Sequence, residues 1–392
     1  MYISEGPLQN IVILDPSWLG LRIFGPALSP ENSIFPQLKS VTGRVTFSEI
    51  QRIYPECDVH SIANLLEHFE LCIPREVGRS TYEFPCLIKM QPLFGLWEID
   101  PSFTVYAGVH VKCRAPSDVF SPGLFPNLQI QVRKTFSDDI EDQEVTLWSD
   151  GLKCCRGEVE VQIQHLEHCR TIEVLVRGTE ETRPECYALL QQFHSLVMKT
   201  IRVMNPGTNI ATHILSAEQL REHKKDPVAY SAVEIFEAER GDGIVKHSES
   251  GQEEHILDLV CCGCEDLVIA AKSAPYALLR DVPLQTKVQL CRMLDPPESF
   301  GRDWCLLALQ LGLTEEVPVI DQANDNISPT EKLLTSWEKG VSTTLVAVVD
   351  ALRGIGREDA AQVLVEGLSL FMNATSSVVV NVPGVAVTSY VC

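Results

Sequence analysis

The strongest constraint on this chain is a run of short amphipathic stripes between Leu284 and Phe371, separated by proline and glycine. Apolar residues recur at Leu284, Val288, Cys291 and Leu294, one face of a helical period. After the turn Asp295-Pro296-Pro297, Trp304, Leu307, Ala308 and Leu311 repeat that spacing, and Gly312 stands where a C-terminal cap would close the helix. Ser328-Pro329-Thr330-Glu331 reads as a capping box with proline in the first turn, opening a helix that buries Leu333, Leu334 and Trp337. Leu345, Val348, Val349 and Leu352 form another stripe, which Gly354 and Gly356 interrupt. Glu358 and Asp359 suit the positive end of a last helix dipole, and that helix buries Ala360, Val363, Leu364, Leu368 and Phe371. With a short helix near 314–320, this makes an all-α six-helix bundle over 283–371, with Trp304, Leu307, Trp337 and Leu364 in its core.

The rest of the chain has a different grammar. Ile11-Val12-Ile13-Leu14 reads as a short strand before the turn Asp15-Pro16. Thr46-Phe47-Ser48-Glu49 is a capping box, and Asp58 can cap a second helix with the stripe Val59, Ile62, Leu66, Phe69. A hairpin follows from Leu71 to Ile88, turning near Gly78, so 1–92 reads as a winged-helix unit. From Thr46 to Met90 there are four basic and seven acidic side chains, net −3, which suits a protein contact better than a phosphate backbone. Alternation at Val105, Ala107, Val109, Val111 and again at Leu128, Ile130, Val132 predicts half-buried strands. Strands ending at the turn Ser149-Asp150-Gly151, then at Val159–Ile163 and Ile172–Val176, extend an antiparallel sheet. Pro184 opens a helix burying Leu189, Leu190, Phe193, Val197 and Ile201, which makes 93–239 an α+β layer. Residues 240–282, polar and glycine-containing at their start, read as a linker, and 372–392 as a flexible tail.

Of 392 residues, 45% are hydrophobic and 22% charged, a composition that supports several packed domains. A net charge of −21 argues against sequence-independent binding of nucleic acid or anionic membrane. No apolar run is long enough to span a bilayer, and no basic segment leads into an apolar one at the N-terminus. The fourteen cysteines therefore read as reduced thiols of a cytoplasmic protein.

The residues also carry two resemblances. Asp303-Trp304-Cys305-Leu306-Leu307-Ala308 with Leu311-Gly312-Leu313 resembles the second helix of death domains. Leu333-Leu334-x-x-Trp337, then Leu345 to Leu352 and Gly356-Arg357-x-Asp359-Ala360-Ala361, resemble the fourth to sixth helices. The match is densest with the death domains of death-associated protein kinases, including Leu294-Asp295-Pro296-Pro297. Ser216-x-x-Gln219-Leu220-Arg221-Glu222-His223 is similar to the same kinases. Ile13-Leu14-Asp15-Pro16-Ser17-Trp18-Leu19, Phe69-Glu70-Leu71-Cys72 and Gly123-Leu124-Phe125-Pro126 resemble the C-terminal-of-Roc (COR) module of Roco-type proteins. Leu147-Trp148-Ser149-Asp150-Gly151 and Val174-Leu175-Val176-Arg177-Gly178 add to that likeness.

These likenesses imply a non-catalytic adaptor that binds death-domain or kinase partners in apoptotic signalling, with a COR-like region that could form homodimers. Death domains assemble through complementary charged patches, and Arg353, Arg357, Glu358 and Asp359 are the candidate partner-binding residues. The alternative is the regulatory C-terminal part of a calcium/calmodulin-regulated serine/threonine kinase. The chain has no phosphate-binding loop, no His-Arg-Asp or Asp-Phe-Gly signature and no ankyrin period of about 33 residues. No catalytic residue, cofactor or metal is therefore expected.

Other chemical motifs favour plainer readings. Cys261-Cys262-Gly263-Cys264 has the spacing of a zinc or redox pair, but no second ligand pair matches it. Cys154-Cys155 is weaker still, and His165-x-x-His168-Cys169 lies by a strand turn where its side chains do not converge. Arg240-Gly241-Asp242 and Asn373-Ala374-Thr375 spell extracellular signals on a chain read as cytoplasmic. No Gly-x-Ser-x-Gly elbow supports a nucleophilic serine.

Overall fold

The structure is a computed structural model and describes residues 8, 14–25, 41–75, 80–92, 95–136, 145–166, 170–260, 282, 284–322, 327–339 and 344–366. Two compact units divide the chain: Met1–Thr104, Gly108–Thr182 and Leu189–Ile210 form one, and Val105–Ala107, Arg183–Ala188 and Ala211–Cys392 the other.

The first unit opens with a helical turn, Pro16–Trp18, capped by Asp15 and continued by a π-helical stretch, Leu19–Phe24. The strand expected at Ile11–Leu14 falls mostly outside the described residues, and Leu14 itself is exposed. Strand β1 (Thr42–Thr46) runs into α1 (Phe47–Ile53), where Thr46 and Glu49 form a complete reciprocal capping box. Helix α2 (Val59–His68) starts on the Asp58 carboxylate, which accepts from the Ser61 N–H at 2.9 Å. Strands β2 (Ile73–Pro74) and β3 (Thr81–Ile88) complete a three-stranded sheet in the order β1-β3-β2. The β1–β3 register shifts between Thr42 and Arg44. Pro85 offers no N–H to the ladder there, and Gly43 takes φ +69, where a Cβ would meet the Phe84 carbonyl at 2.5 Å. Leu66, Ile50, Tyr82, Phe84 and Ile23 fill the small core beneath.

Strand β4 (Val105–Cys113) is buried at eight of its nine positions, so it is covered on both faces, not half-buried. The second expected strand, at Leu128–Val132, is instead helix α3 (Leu124–Phe136). Leu124, Leu128, Ile130 and Val132 are all buried, and so is Gln129 between them. A helix enclosed around most of its girth keeps every second residue inside and so imitates a strand's alternation. Strands β5 (Val145–Trp148), β6 (Gly151–Arg156), β7 (Val159–Leu166) and β8 (Thr171–Gly178) form an antiparallel meander, giving neighbours in the order β4-β8-β7-β6-β5.

The β5–β6 turn is tied to α3 by Gln129, whose amide donates to the Trp148 carbonyl at 2.8 Å and the Gly151 carbonyl at 2.9 Å. Gly151 is required because a Cβ there would lie 2.0 Å from the buried Trp148 ring. Arg177 on β8 is buried between Trp97 and Phe103, its guanidinium 4.3 and 4.4 Å from their ring centres, and it bonds to Glu160 and the Glu98 carbonyl. The α4 helix (Arg183–Met204) buries Leu189, Leu190, Phe193, Val197 and Ile201 as the sequence stripe requires.

In the second unit, β9 (Ile210–Leu215) and β10 (Ala229–Ser231) pair antiparallel around α5 (Ala217–Arg221). Ser231 and Glu234 then form a capping box for α6 (Ala232–Arg240). The start of the expected linker is ordered instead. Strands β11 (Ile244–Lys246) and β12 (Glu253–His255) pair as a hairpin, followed by α7 (Ile256–Val260). Val245 and Leu259 are fully buried beneath this otherwise polar surface, which is why composition alone misleads.

Among the described residues six helices follow: α8 (Leu284–Leu294), α9 (Trp304–Gln310), α10 (Glu316–Asp321), α11 (Pro329–Glu338), α12 (Leu345–Gly354) and α13 (Glu358–Glu366). Leu290, Leu294, Leu307, Leu333, Leu352 and Leu364 lie in one core. Three details differ from the stripes. Leu284 and Val288 are exposed, because α8 turns Leu290 and Leu294 inward. Trp337 is half-buried, and its indole Nε1 is enclosed without a hydrogen-bond partner. The Ser328 hydroxyl accepts from the Glu331 N–H at 3.1 Å but donates to Asp295 at 2.9 Å. The Thr330 N–H also donates to Asp295, at 3.0 Å, so the turn after α8 helps to cap α11. Leu368 and Phe371 lie outside the described residues, as do Cys261–Cys264, His168, Cys169 and 372–392.

Candidate functional site

The four candidate residues sit at the junction of α12 and α13, and a glycine sets their geometry. Gly356 takes φ +75, letting its N–H reach the Arg353 carbonyl and the Arg357 N–H reach the Leu352 carbonyl at 2.8 Å. This left-handed cap ends α12 and turns the chain directly into α13. Arg353 thus occupies the last turn of one helix, and Glu358 and Asp359 the first turn of the next. Each charge suits the dipole end it occupies.

The four do not form one free patch. Arg357 is 8% exposed and works inside the bundle. Its guanidinium donates to the Met293 carbonyl at 3.0 Å, to the Arg302 carbonyl at 2.9 Å and to both Asp359 oxygens at 2.9 Å. This fork joins the end of α8 and the loop before α9 to the start of α13. The Arg357 hydrogen bond holds the Asp359 carboxyl below the ordinary aspartate range.

Arg353 bridges two acids, with Nη1 at 2.7 Å from Glu237 and Nε at 3.2 Å from Glu358. Burial opposes its charge, yet the hydrogen bonds it donates to Glu237 and Glu358, with their negative charges, leave its pKa raised. Glu358 remains largely exposed and Asp359 more than half exposed, so these two are the members that face solvent.

Sequence reasoning missed the partners of this junction. Asp350 accepts a two-pronged bond from Arg240, at 2.8 and 3.1 Å. Glu237 and Arg240 both come from α6, whose Ser231-x-x-Glu234 capping box was readable as a helix start. At the loop before α9, hydrogen bonds from Arg302 hold Glu298 down at about 2, and Lys287 pairs with Glu338 at 2.9 Å. Chemically, the surface offers paired charges and exposed acids suited to docking a protein.

His165, of the His165-x-x-His168-Cys169 motif read above as non-converging, lies on β7 with its ring stacked on Phe125 at 5.5 Å between centres. Among the described residues no cluster of three or more potential ligands could hold a metal ion, and no helix is long and apolar enough to cross a membrane.

Residues 287–368 match the family model of the death domain. The chain is 26% identical over 336 residues to "Death-associated protein kinase dapk-1" of Caenorhabditis elegans, an alignment covering 84% of this chain and 23% of that protein. Over 96 residues, 22% of this chain, it is 33% identical to "Netrin receptor unc-5" of Drosophila melanogaster, covering 9% of that protein. The chain thus spans under a quarter of the length of either relative. The six-helix bundle from α8 to α13 is a death domain.

Proposed function

We propose that this chain is a non-catalytic signalling protein that binds other proteins through its death domain in apoptotic signal transduction. The death-domain match over 287–368 carries the reading, and the solvent-facing acids Glu358 and Asp359 supply the chemistry. Its partners are death-domain proteins or kinases, met in the cytoplasm. The N-terminal part is read as a COR-like region with a winged-helix unit, a surface for protein contact and self-pairing. The element order β1, α1, α2, β2, β3 with sheet order β1-β3-β2 supports that reading, and so does the acidic balance of 46–90.

The test is affinity capture from cytosol with the tagged full chain, its Glu358→Lys variant and its Leu352→Arg variant. Leu352 is fully buried, so arginine there disrupts the bundle. Death-domain or kinase partners should be retained by the wild type, lost with Leu352→Arg and reduced with Glu358→Lys. Identical recovery by the wild type and Leu352→Arg would refute binding through the death domain.

A second reading is the regulatory C-terminal part of a serine/threonine kinase. The similarity to the C. elegans death-associated protein kinase over 84% of this chain favours it. Long-read transcripts joining this sequence to an upstream kinase-coding region would establish it, and consistent absence of such joins would refute it.

A further inference from the structure

Helix α6 lies outside the segment matched as a death domain, yet it packs into that domain's core. Ala232 and Phe236 belong to the same buried cluster as Leu352 and Leu364, with Val233 packed against it. Around this small apolar footprint stand two charge pairs. Arg240 grips Asp350 at 2.8 and 3.1 Å, and Glu237 meets Arg353 at 2.7 Å. Both pairs keep partial solvent exposure, their side chains being 25% to 48% accessible. The other side of α6 holds onto the hairpin: Ile235 and Ala238 are buried outside the bundle's cluster, and the Ser248 N–H donates to Glu234 at 2.8 Å.

The geometry points to the α12–α13 face as a docking surface for an amphipathic helix, held in cis by α6. Its occupant carries an aromatic anchor followed at the next residue by an acid and three further on by a base, as in Phe236, Glu237 and Arg240. The chemistry of the fit is specific. The aromatic enters the apolar notch, the acid reads Arg353 and the base reads Asp350. Wet ion pairs around one aromatic are an arrangement that charge and salt can loosen without emptying the bundle core. Tethering gives α6 a high effective concentration, so a competing helix engages this face only after the cis contact is weakened.

This inference rests on the protein-binding reading, but its test needs no outside partner. Full chains carrying Arg240→Glu with Glu237→Arg would be followed by amide hydrogen exchange beside the wild type. Amides of Ala232–Arg240 should exchange faster by about tenfold, while those of α11 and α12 keep their protection. Compensation is the control for folding: Arg240→Asp alone should loosen α6, and adding Asp350→Arg should restore it.

A fluorescent, lactam-bridged peptide of residues 230–241 is the docking probe. It should bind the doubly reversed chain about tenfold or more tighter than the wild type, and the charge-reversed peptide should fail. Unchanged α6 exchange, loss of protection in α6 and α12 together, or equal peptide binding to both chains would each overturn the proposal. Loss of cytosolic partners with these results intact would count against the signalling reading alone.

Discussion

His194 is buried on α4, and desolvation, with the Arg202 charge adding to it, lowers its pKa from 6.5 to about 4. The folded state therefore refuses a proton that the unfolded chain accepts. The stabilisation from neutral His194 is fully present above pH 6.5, falls as the pH drops toward 4 and is lost below it. Across that window the wild type should lose up to about 3 kcal/mol relative to a His194→Gln chain. Urea titrations of both proteins at several pH values would measure the difference, and parallel curves would refute it. Arg357 teaches a related lesson. Its sequence context, Gly356-Arg357-Glu358-Asp359, looks like a surface charge cluster, with all three charges candidate contacts. What the sequence hides is that Met293 and Arg302, more than fifty residues upstream, aim their carbonyls at the guanidinium.

At the scale of elements, caps and stripes were the most legible features. Thr46, Asp58, Gly312 and Gly356 stand where local chemistry demands them, because a cap depends on its own few neighbours. Burial geometry was less legible. Periodicity separates inside from outside only when an element has an outside, and α3 and β4 have little. The Leu284–Val288 stripe failed for the opposite reason, since apolar residues can also stand in solvent.

Of the candidate site, the α12–α13 charges could be read but not their partners on α6. The Asp295 clamp offers a test at this scale. Asp295→Ala removes an acceptor used by both Ser328 and Thr330, joining the end of α8 to the start of α11. It should lower bundle stability by about 1–2 kcal/mol, a drop of a few degrees in its thermal transition. An unchanged transition would show that solvent replaces the carboxylate without cost.

For the whole molecule, the unit of packing is larger than the unit of family resemblance. The matched segment starts at 287, whereas the core of the bundle also recruits Ala232 and Phe236. A protein cut between Val260 and Val282, at an inserted protease site, should therefore behave as a bimolecular complex. Its two pieces should co-elute at micromolar concentration in low salt and separate more readily at high salt, because paired surface charges contribute to their grip. Immediate separation under all conditions would contradict the shared core. Nicking would turn an internal packing contact into an equilibrium with a dissociation constant, so the strength of α6's hold on the bundle could be weighed by dilution alone.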